Sequence, residues 1–98
     1  MPLESYLERR VCSLIRSWDK HVWVQKNDPN VIQGFPDRVV FYKGKVAFLE
    51  FKKDKDAPTR PNQKWYITTL NADFGFARFI SPENEVEVLT ELKKFLGL

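Results

Sequence analysis

Two carboxylates and a lysine stand out in the stretch FPDRVVFYKGKVAFLEFKK, residues 35–53, because they interrupt two otherwise apolar runs. Asp37 precedes the first run, whereas Glu50 and Lys52 lie at the end of the second. Carboxylate oxygens are the ligands that Mg²⁺ prefers, and this ion commonly takes one or two of them while keeping several waters. An ion held in this way can orient a phosphate and activate water, and a neighbouring lysine can offset charge that builds on the phosphate. These residue types would therefore suit phosphate-ester hydrolysis if the fold brought them together.

A hairpin would bring them together. If Lys43 and Gly44 form a two-residue turn, Asp37 lies directly opposite Glu50, and Lys52 points to the same face of the sheet. Two carboxylates placed in this way repel each other, so the pair needs a compensating cation, either the lysine or a divalent metal. Two alternatives remain. In the first, the three residues are ordinary exposed charges at strand ends. In the second, a three-residue turn moves Asp37 to the other face of the sheet.

Gln63 and Glu4 are further candidates, each on a predicted helix. Gln63 is the polar member at the start of an otherwise apolar helical stripe, formed by Ile67, Leu70 and Phe74. This position follows the loop that leaves Lys52, so the amide should lie near the charged residues. Glu4 shares a face of the first helix with apolar residues, and Glu8, one turn on, is the competing choice. All three side chains could equally face solvent.

The elements that would hold these residues follow from periodicity. A helix is predicted over residues 3–18, because apolar side chains recur there every three or four positions: Leu3, Leu7, Val11, Leu14 and Trp18. Strands are predicted over 21–26, 37–42 and 45–52. Between the first two strands we expect a short loop, or a continuation of the strand around Val31 and Ile32.

Turn residues, helix caps and apolar periodicity also predict the elements in the second half of the chain. A helix begins at Pro61, runs to about Asn71–Asp73 and ends with Gly75. FARFI, residues 76–80, is predicted as a strand, after which Ser81 caps a last helix that begins at Pro82. That helix is predicted to bury four residues: Val86, Leu89, Leu92 and Leu96. The order α-β-β-β-α-β-α predicts a small α/β domain, with helices on both faces of one sheet.

Length and composition limit the class of protein. The 98 residues predict a single domain, residues 1–98, with 43% hydrophobic side chains. No apolar stretch approaches the roughly 20 residues that span a bilayer, and no signal-peptide segment is visible, so we expect a cytoplasmic protein with no membrane partner. The single cysteine, Cys12, excludes an internal disulfide and a cysteine-based zinc site.

Positive charge is concentrated in one part of the chain. The net charge is only +3, but residues 43–64 hold seven Lys or Arg side chains against three acids. Such a stripe is typical of proteins that bind a polyanion, and equally of solvated loops. The candidate phosphate contacts are Lys53, Lys55, Arg60 and Lys64.

These motifs resemble a known family. The pair P-D at 36–37 with E-F-K at 50–52 is similar to the PD-(D/E)xK nuclease motif. The longer pattern GFPDRVVFYKGKVAFLEFK…PNQKWYITTL…GFARFI resembles the VRR-NUC branch, including its small stand-alone members from bacteria and bacteriophages. The resemblance extends over nearly the whole chain. It implies a restriction-endonuclease-like three-layer core with a mixed central sheet, and a homodimeric, metal-dependent endonuclease that cuts DNA, including branched DNA such as Holliday junctions.

The resemblance also implies a role for each candidate. Lys52 would be the catalytic lysine, and Gln63 would be the supporting glutamine. The ligands of Mg²⁺ or Mn²⁺ would be Asp37, Glu50 and the backbone carbonyl of Phe51, with Glu4 as the acid of the first helix.

Two other functions remain compatible with the residues. The first is a non-catalytic nucleic-acid-binding module on the same fold, with Trp65 stacking on bases or simply packing. The second is a protein-interaction domain whose charges are incidental. His21 is expected to be structural, and Trp18 and Trp23 are expected to lie in the core or in a dimer interface.

Overall fold

A computed structural model describes residues 3–98, with the exception of the side chain of Leu3. The predicted element order is confirmed. The helices and strands are α1 (Leu3–Ser17), β1 (Trp23–Lys26), β2 (Arg38–Tyr42), β3 (Lys45–Phe51), α2 (Pro61–Phe74), β4 (Ala77–Ile80) and α3 (Glu85–Leu96). No helix among the described residues is long and apolar enough to cross a membrane.

One mixed sheet of four strands, in the order β1-β2-β3-β4, forms the centre of the molecule. The first three strands are antiparallel, and β4 runs parallel to β3. Tyr42 pairs with Lys45, which confirms the two-residue turn at Lys43 and Gly44. Both turn residues have positive φ, 45° and 85° respectively, as the type I′ hairpin turn requires.

Helices cover both faces of the sheet, as predicted. Helices α1 and α3 pack on one face, in a core that contains Val11, Leu49 and Leu92. Helix α2 packs on the other face, where Ile67 meets Val39 and Phe48. Both central strands alternate between these two cores, so neither of their faces is free for solvent along the middle of the sheet.

The burial pattern of the helices differs from the prediction at three residues. Leu14 and Val86 are 44% and 79% exposed, because each lies at the edge of its helix's buried stripe rather than within it. Phe74 is 50% exposed; one side of its ring packs on Phe48 at a centroid distance of 5.4 Å. The predicted burial of Leu3 concerns a side chain outside the described residues.

The start of α3 was also predicted wrongly. Asn84, and not Ser81, is the N-cap residue, and Pro82 lies in a turn before the helix. The side chain of Asn84 bonds backwards, accepting from the Ser81 N–H at 2.8 Å and donating to the Phe79 carbonyl at 3.0 Å. These bonds tie the turn to the end of β4, so the helix begins only at Glu85.

The segment between β1 and β2 is a loop that contains turns, not a strand continuation. Val31 and Ile32 are exposed at 75% and 39%. The loop returns to the body of the protein at Gly34, whose φ is +83° and whose Cα faces Asn62 at the start of α2. A Cβ at this position would lie 2.5 Å from the Asn62 Nδ2, so glycine is needed for both conformation and space.

Candidate active site

The hairpin places the three predicted charged residues together at one end of the sheet. Asp37 and Glu50 lie one position beyond the Arg38–Leu49 pair, so they face each other on the α2 side. Glu50 and Lys52 are only 5% and 9% exposed. Burial of an acid and a base at a strand end excludes the alternative that these are ordinary solvated charges.

The backbone of β3 fixes the orientation of Asp37. Its Oδ2 accepts a hydrogen bond from the Phe51 N–H at 2.8 Å. Every second pair of an antiparallel hairpin is hydrogen-bonded, and here the series begins with Tyr42–Lys45 beside the turn. Continued to the end of the hairpin, this series makes Pro36 the partner of Phe51, so the backbone N–H and C=O of Phe51 face Pro36. Proline has no N–H to donate. The Phe51 carbonyl is therefore not used by a ladder bond from β2, which is compatible with its predicted role as a metal ligand.

Gln63 forms hydrogen bonds with both Lys52 and Glu50. Its Oε1 accepts from the Lys52 Nζ at 2.9 Å, and its Nε2 donates to the Glu50 Oε2 at 3.3 Å. The same Oε1 accepts from the Arg60 N–H at 3.1 Å, which caps the first turn of α2. The amide is thereby held by its own helix while it orients two side chains of β3.

The two carboxyl groups compete for one proton. Burial, and then the negative charge of Asp37, raise the pKa of Glu50 to about 8. Burial also raises the pKa of Asp37, although the hydrogen bond from the Phe51 N–H acts against this rise. A hydrogen bond between the two side chains favours the proton on Glu50. Near neutral pH and without a further cation, Glu50 therefore keeps its proton beside Asp37.

Glu4 and Glu8 both approach this cluster from α1. The pKa of Glu4 is raised by burial and by the charge of Asp37, and is lowered by Lys52. Glu8 instead forms an ion pair with Arg38, at 2.6 Å between Oε2 and Nε. The negative charge of Glu8 also raises the pKa of Asp37. Since Glu8 already has a cationic partner, the geometry favours Glu4 as the first-helix acid.

The candidate phosphate contacts lie in the chain segments next to Lys52 and Gln63. All four side chains are exposed, two in the loop after β3 and two at the start of α2: Lys53, Lys55, Arg60 and Lys64. Trp65 is 60% exposed beside them, with its ring edge-on to Tyr66. His21 is exposed and lies outside the cluster.

Two contacts at the site were missed by the sequence analysis. Besides Gln63, the Lys52 Nζ donates to the Pro58 carbonyl at 3.0 Å. It also lies 5.4 Å from the centre of the Phe79 ring, which is the β4 neighbour of Glu50. The Pro58 contact depends on how the loop folds back, which no local pattern reveals. The Phe79 contact follows from the parallel register of β4, for which the sequence carried no marker.

The donors at the site fit a hard divalent cation. Two facing carboxylates that share a proton would both ionise if a cation replaced it, and Mg²⁺ and Mn²⁺ favour such oxygen ligands. Residues 3–98 contain no group of three or more His, Cys, Asp or Glu side chains arranged to hold a metal. A site built from two carboxylates and a carbonyl would therefore leave the remaining coordination positions to water and substrate, as is common for Mg²⁺.

Among the comparisons with known proteins, a match to a solved structure bears on the fold. No family model matches the chain, and no curated protein matches its sequence. A solved structure described as a VRR_NUC domain protein aligns over 98% of this chain and 89% of its own, with a TM-score of 0.74 and 15% sequence identity. The class that the architecture defines is thus the small α/β fold of VRR-NUC domains. This chain has that fold.

Proposed function

We propose that this protein is a metal-dependent endodeoxyribonuclease that hydrolyses phosphodiester bonds in DNA. The observation that carries the proposal is the buried cluster of Asp37, Glu50 and Lys52, joined by Gln63. Two carboxylates that face each other at the end of a sheet, with a lysine held beside them, are groups that can support metal-dependent phosphodiester hydrolysis. The fold shared with a VRR_NUC domain protein supports the same reading.

Each residue has a separate part in the proposed reaction. Asp37 and Glu50, with the Phe51 carbonyl and Glu4 near them, would hold Mg²⁺ or Mn²⁺. When bound, such a cation supplies Lewis-acid activation of the phosphate and of water. The Lys52 ammonium offsets the negative charge that develops on the phosphate during hydrolysis. Gln63 is a positioning residue, because it holds Lys52 and Glu50 in a fixed relation.

The exposed cations would bind the DNA backbone. Lys53 and Lys55 follow the site directly along the chain, and Arg60 and Lys64 lie at the start of the helix that carries Gln63. Phosphate contacts of this kind make binding strongly dependent on salt and insensitive to sequence. They support a polyanionic substrate for the site beside them.

Branched DNA, such as a Holliday junction, is the proposed substrate form, and a homodimer is the proposed assembly. One protomer has one candidate site, whereas cutting two strands of a junction requires two sites. An exposed apolar row supports an interface between copies: Trp23 pairs with Phe41, which pairs with Val46, across three adjacent strands. Trp23 and Phe41 are 69% and 41% exposed.

A non-catalytic nucleic-acid-binding module is the second candidate. One observation favours it: the described residues contain no buried side-chain nitrogen or oxygen that lacks a hydrogen-bond partner. The buried polar atoms of the cluster therefore have partners within the protein without a bound cation. The pKa of about 8 for Glu50 argues the other way, because a purely structural cluster would gain nothing from two facing acids.

A cleavage panel separates the two candidates. Labelled duplex, single-stranded, flap and four-way-junction DNA would be incubated with the protein in Mg²⁺ or in a chelator. We expect cleavage only with the metal, fastest on the junction. Asp37→Asn and Glu50→Gln should each lower the rate by at least about a hundredfold, while Glu87→Gln, an exposed control on α3, should not. DNA binding without cleavage by wild type would instead support the binding module.

A further inference from the structure

A cleft of about 350 Å³ opens directly beside the candidate active site. Lys52 forms part of its wall, together with the loop that follows β3 and the turn between β4 and α3. Phe79 also lines it, next to Glu50 in the sheet and 5.4 Å from the Lys52 ammonium. Its volume lies within the roughly 300–1,000 Å³ that is typical of small-ligand sites.

Two kinds of group in the wall of the cleft could recognise a ligand. Phe79 supplies an aromatic surface, while Asp54 and Glu83 supply carboxylates. Each carboxylate uses one oxygen to hold a backbone N–H: Asp54 that of Asp56, and Glu83 that of Lys55. A carboxylate has about four acceptor positions in all, so both acids keep capacity for a donor on a ligand.

This combination matches a nucleoside better than a phosphate. Asp54 and Glu83 would repel a second phosphate placed beside them, whereas a base can stack on the aromatic ring and donate its exocyclic amino group to a carboxylate. Lys52 and Lys55, which also line the cleft, would then offer cations to the backbone phosphates on either side of that base. A purely apolar ligand would leave the remaining acceptor positions of the two carboxylates without a donor.

We propose that this cleft binds the base of one nucleotide that flanks the scissile phosphate, and that it prefers a base with an exocyclic amino group. Phe79 stacks on the base, and Glu83 and Asp54 accept from the amino group. The cleft thereby determines specificity at one position next to the cut. This inference rests on the proposed nuclease function, because the flanking nucleotide is placed there by the phosphate at Lys52.

The test uses an oligonucleotide that the wild-type protein cuts at one bond. The nucleotide on each side of that bond would be changed in turn to C, A, G, T and an abasic residue, and kcat/KM would be measured in Mg²⁺. On one side only, we expect the abasic substrate to be cut about tenfold more slowly than C. Thymine, which presents a carbonyl where C and A present an amino group, should be cut about fivefold more slowly.

Two variants assign the effect to the cleft. Glu83→Gln keeps an acceptor for the Lys55 N–H but adds a donor, so it should remove the preference against thymine. Phe79→Leu should reduce the abasic penalty. Glu87→Gln serves as the matched control, and it should keep both preferences. Equal rates for all flanking nucleotides, or preferences unchanged in both cleft variants, would overturn the inference. Failure of wild type to cut any DNA would instead overturn the nuclease proposal on which it rests.

Discussion

Glu50 shows how the fold changes the chemistry of a single side chain. A glutamate in water ionises near pH 4.5, but burial beside Asp37 raises its pKa to about 8. Protein cores rarely keep such a group, because a neutral side chain of similar size would cost less to bury. The structure retains two facing acids, the hydrogen bond from the Phe51 N–H and the amide of Gln63 around one point. Perturbed pairs of this kind concentrate at functional sites.

Stability should therefore depend on pH through this pair. Below about pH 4.5 Glu50 holds its proton in both the folded and unfolded states, and between 4.5 and about 8 only the folded state holds it. The contribution of Glu50 to the free energy of unfolding should consequently be largest in acid and be lost as the pH rises from about 4.5 through about 8. Thermal unfolding in a chelator, from about pH 5 to pH 9, would measure this fall.

Glu50→Gln should flatten the pH dependence, because the amide does not titrate, whereas Glu87→Gln should keep the wild-type slope. Mg²⁺ should raise the melting temperature more at about pH 8.5 than at about pH 5.5, because the ion binds the ionised pair. An identical slope in wild type and Glu50→Gln would show that the pair is not perturbed in this way.

At the scale of the elements, the hairpin and α2 assemble the site between them. The turn at Lys43 and Gly44 sets the register, and the register sets which side chains face each other. A shift by one residue would place Asp37 on the α1 side. Helix α2 then brings Gln63 over the strand end, and the loop from β1 fixes the start of α2 where Gly34 meets Asn62.

The contact between Gly34 and Asn62 is testable with a matched pair of glycines. Both Gly34 and Gly44 have positive φ, +83° and +85°, but only Gly34 faces a neighbouring side chain. Gly44→Ala should lower the free energy of unfolding by about 1–2 kcal/mol, because of backbone strain alone. Gly34→Ala should lower it by roughly 1–3 kcal/mol more, because the new methyl group also meets Asn62. Chemical denaturation would measure both.

The double variant Gly34→Ala/Asn62→Ala should recover part of the additional loss, because it removes the amide that the new methyl group meets. Equal destabilisation by the two single variants would contradict the close approach of the loop to α2.

The helices, the strands and the hairpin register could be predicted from the sequence, whereas contacts that depend on how the loops fold could not. The Lys43-Gly44 turn and the alternating strands carry their own register, so the position of Glu50 opposite Asp37 could be predicted. The Asn84 cap could not, because Ser81-Pro82 is the better local start signal and loses only to bonds with the end of β4. Phe79 beside Lys52 likewise depends on a parallel pairing between strands that are distant in sequence.

At the scale of the whole molecule, the site and the exposed apolar row lie at opposite ends of the hairpin. The protein measures about 32 × 30 × 24 Å. Asp37 and Glu50 occupy one end of the sheet, whereas Phe41 and Val46 lie next to the turn. Helix α2 packs on β3 and β4, so Trp23 and Phe41 on the outer strands stay exposed. An interface at this row would leave both sites of a dimer open to DNA.

The proposed dimer predicts a mass in solution of about twice the 11.6 kDa of the chain. Trp23→Arg should shift the protein to a monomer, because a charge at the centre of an apolar interface is costly to bury. Val86→Arg is the control, since this side chain is 79% exposed on the opposite face. Light scattering after gel filtration would measure the masses, and a monomeric wild type would contradict the assembly.

In the proposed site, Asp37 and Glu50 together hold one divalent cation, and calorimetric titration with Mn²⁺ would measure this binding. We expect saturable binding to wild-type protein at about pH 8, competition by Mg²⁺, and loss of this binding in both Asp37→Asn and Glu50→Gln. Glu87→Gln should bind as wild type does. Mn²⁺ binding that is unchanged in either site variant, or absent from folded wild-type protein, would contradict it.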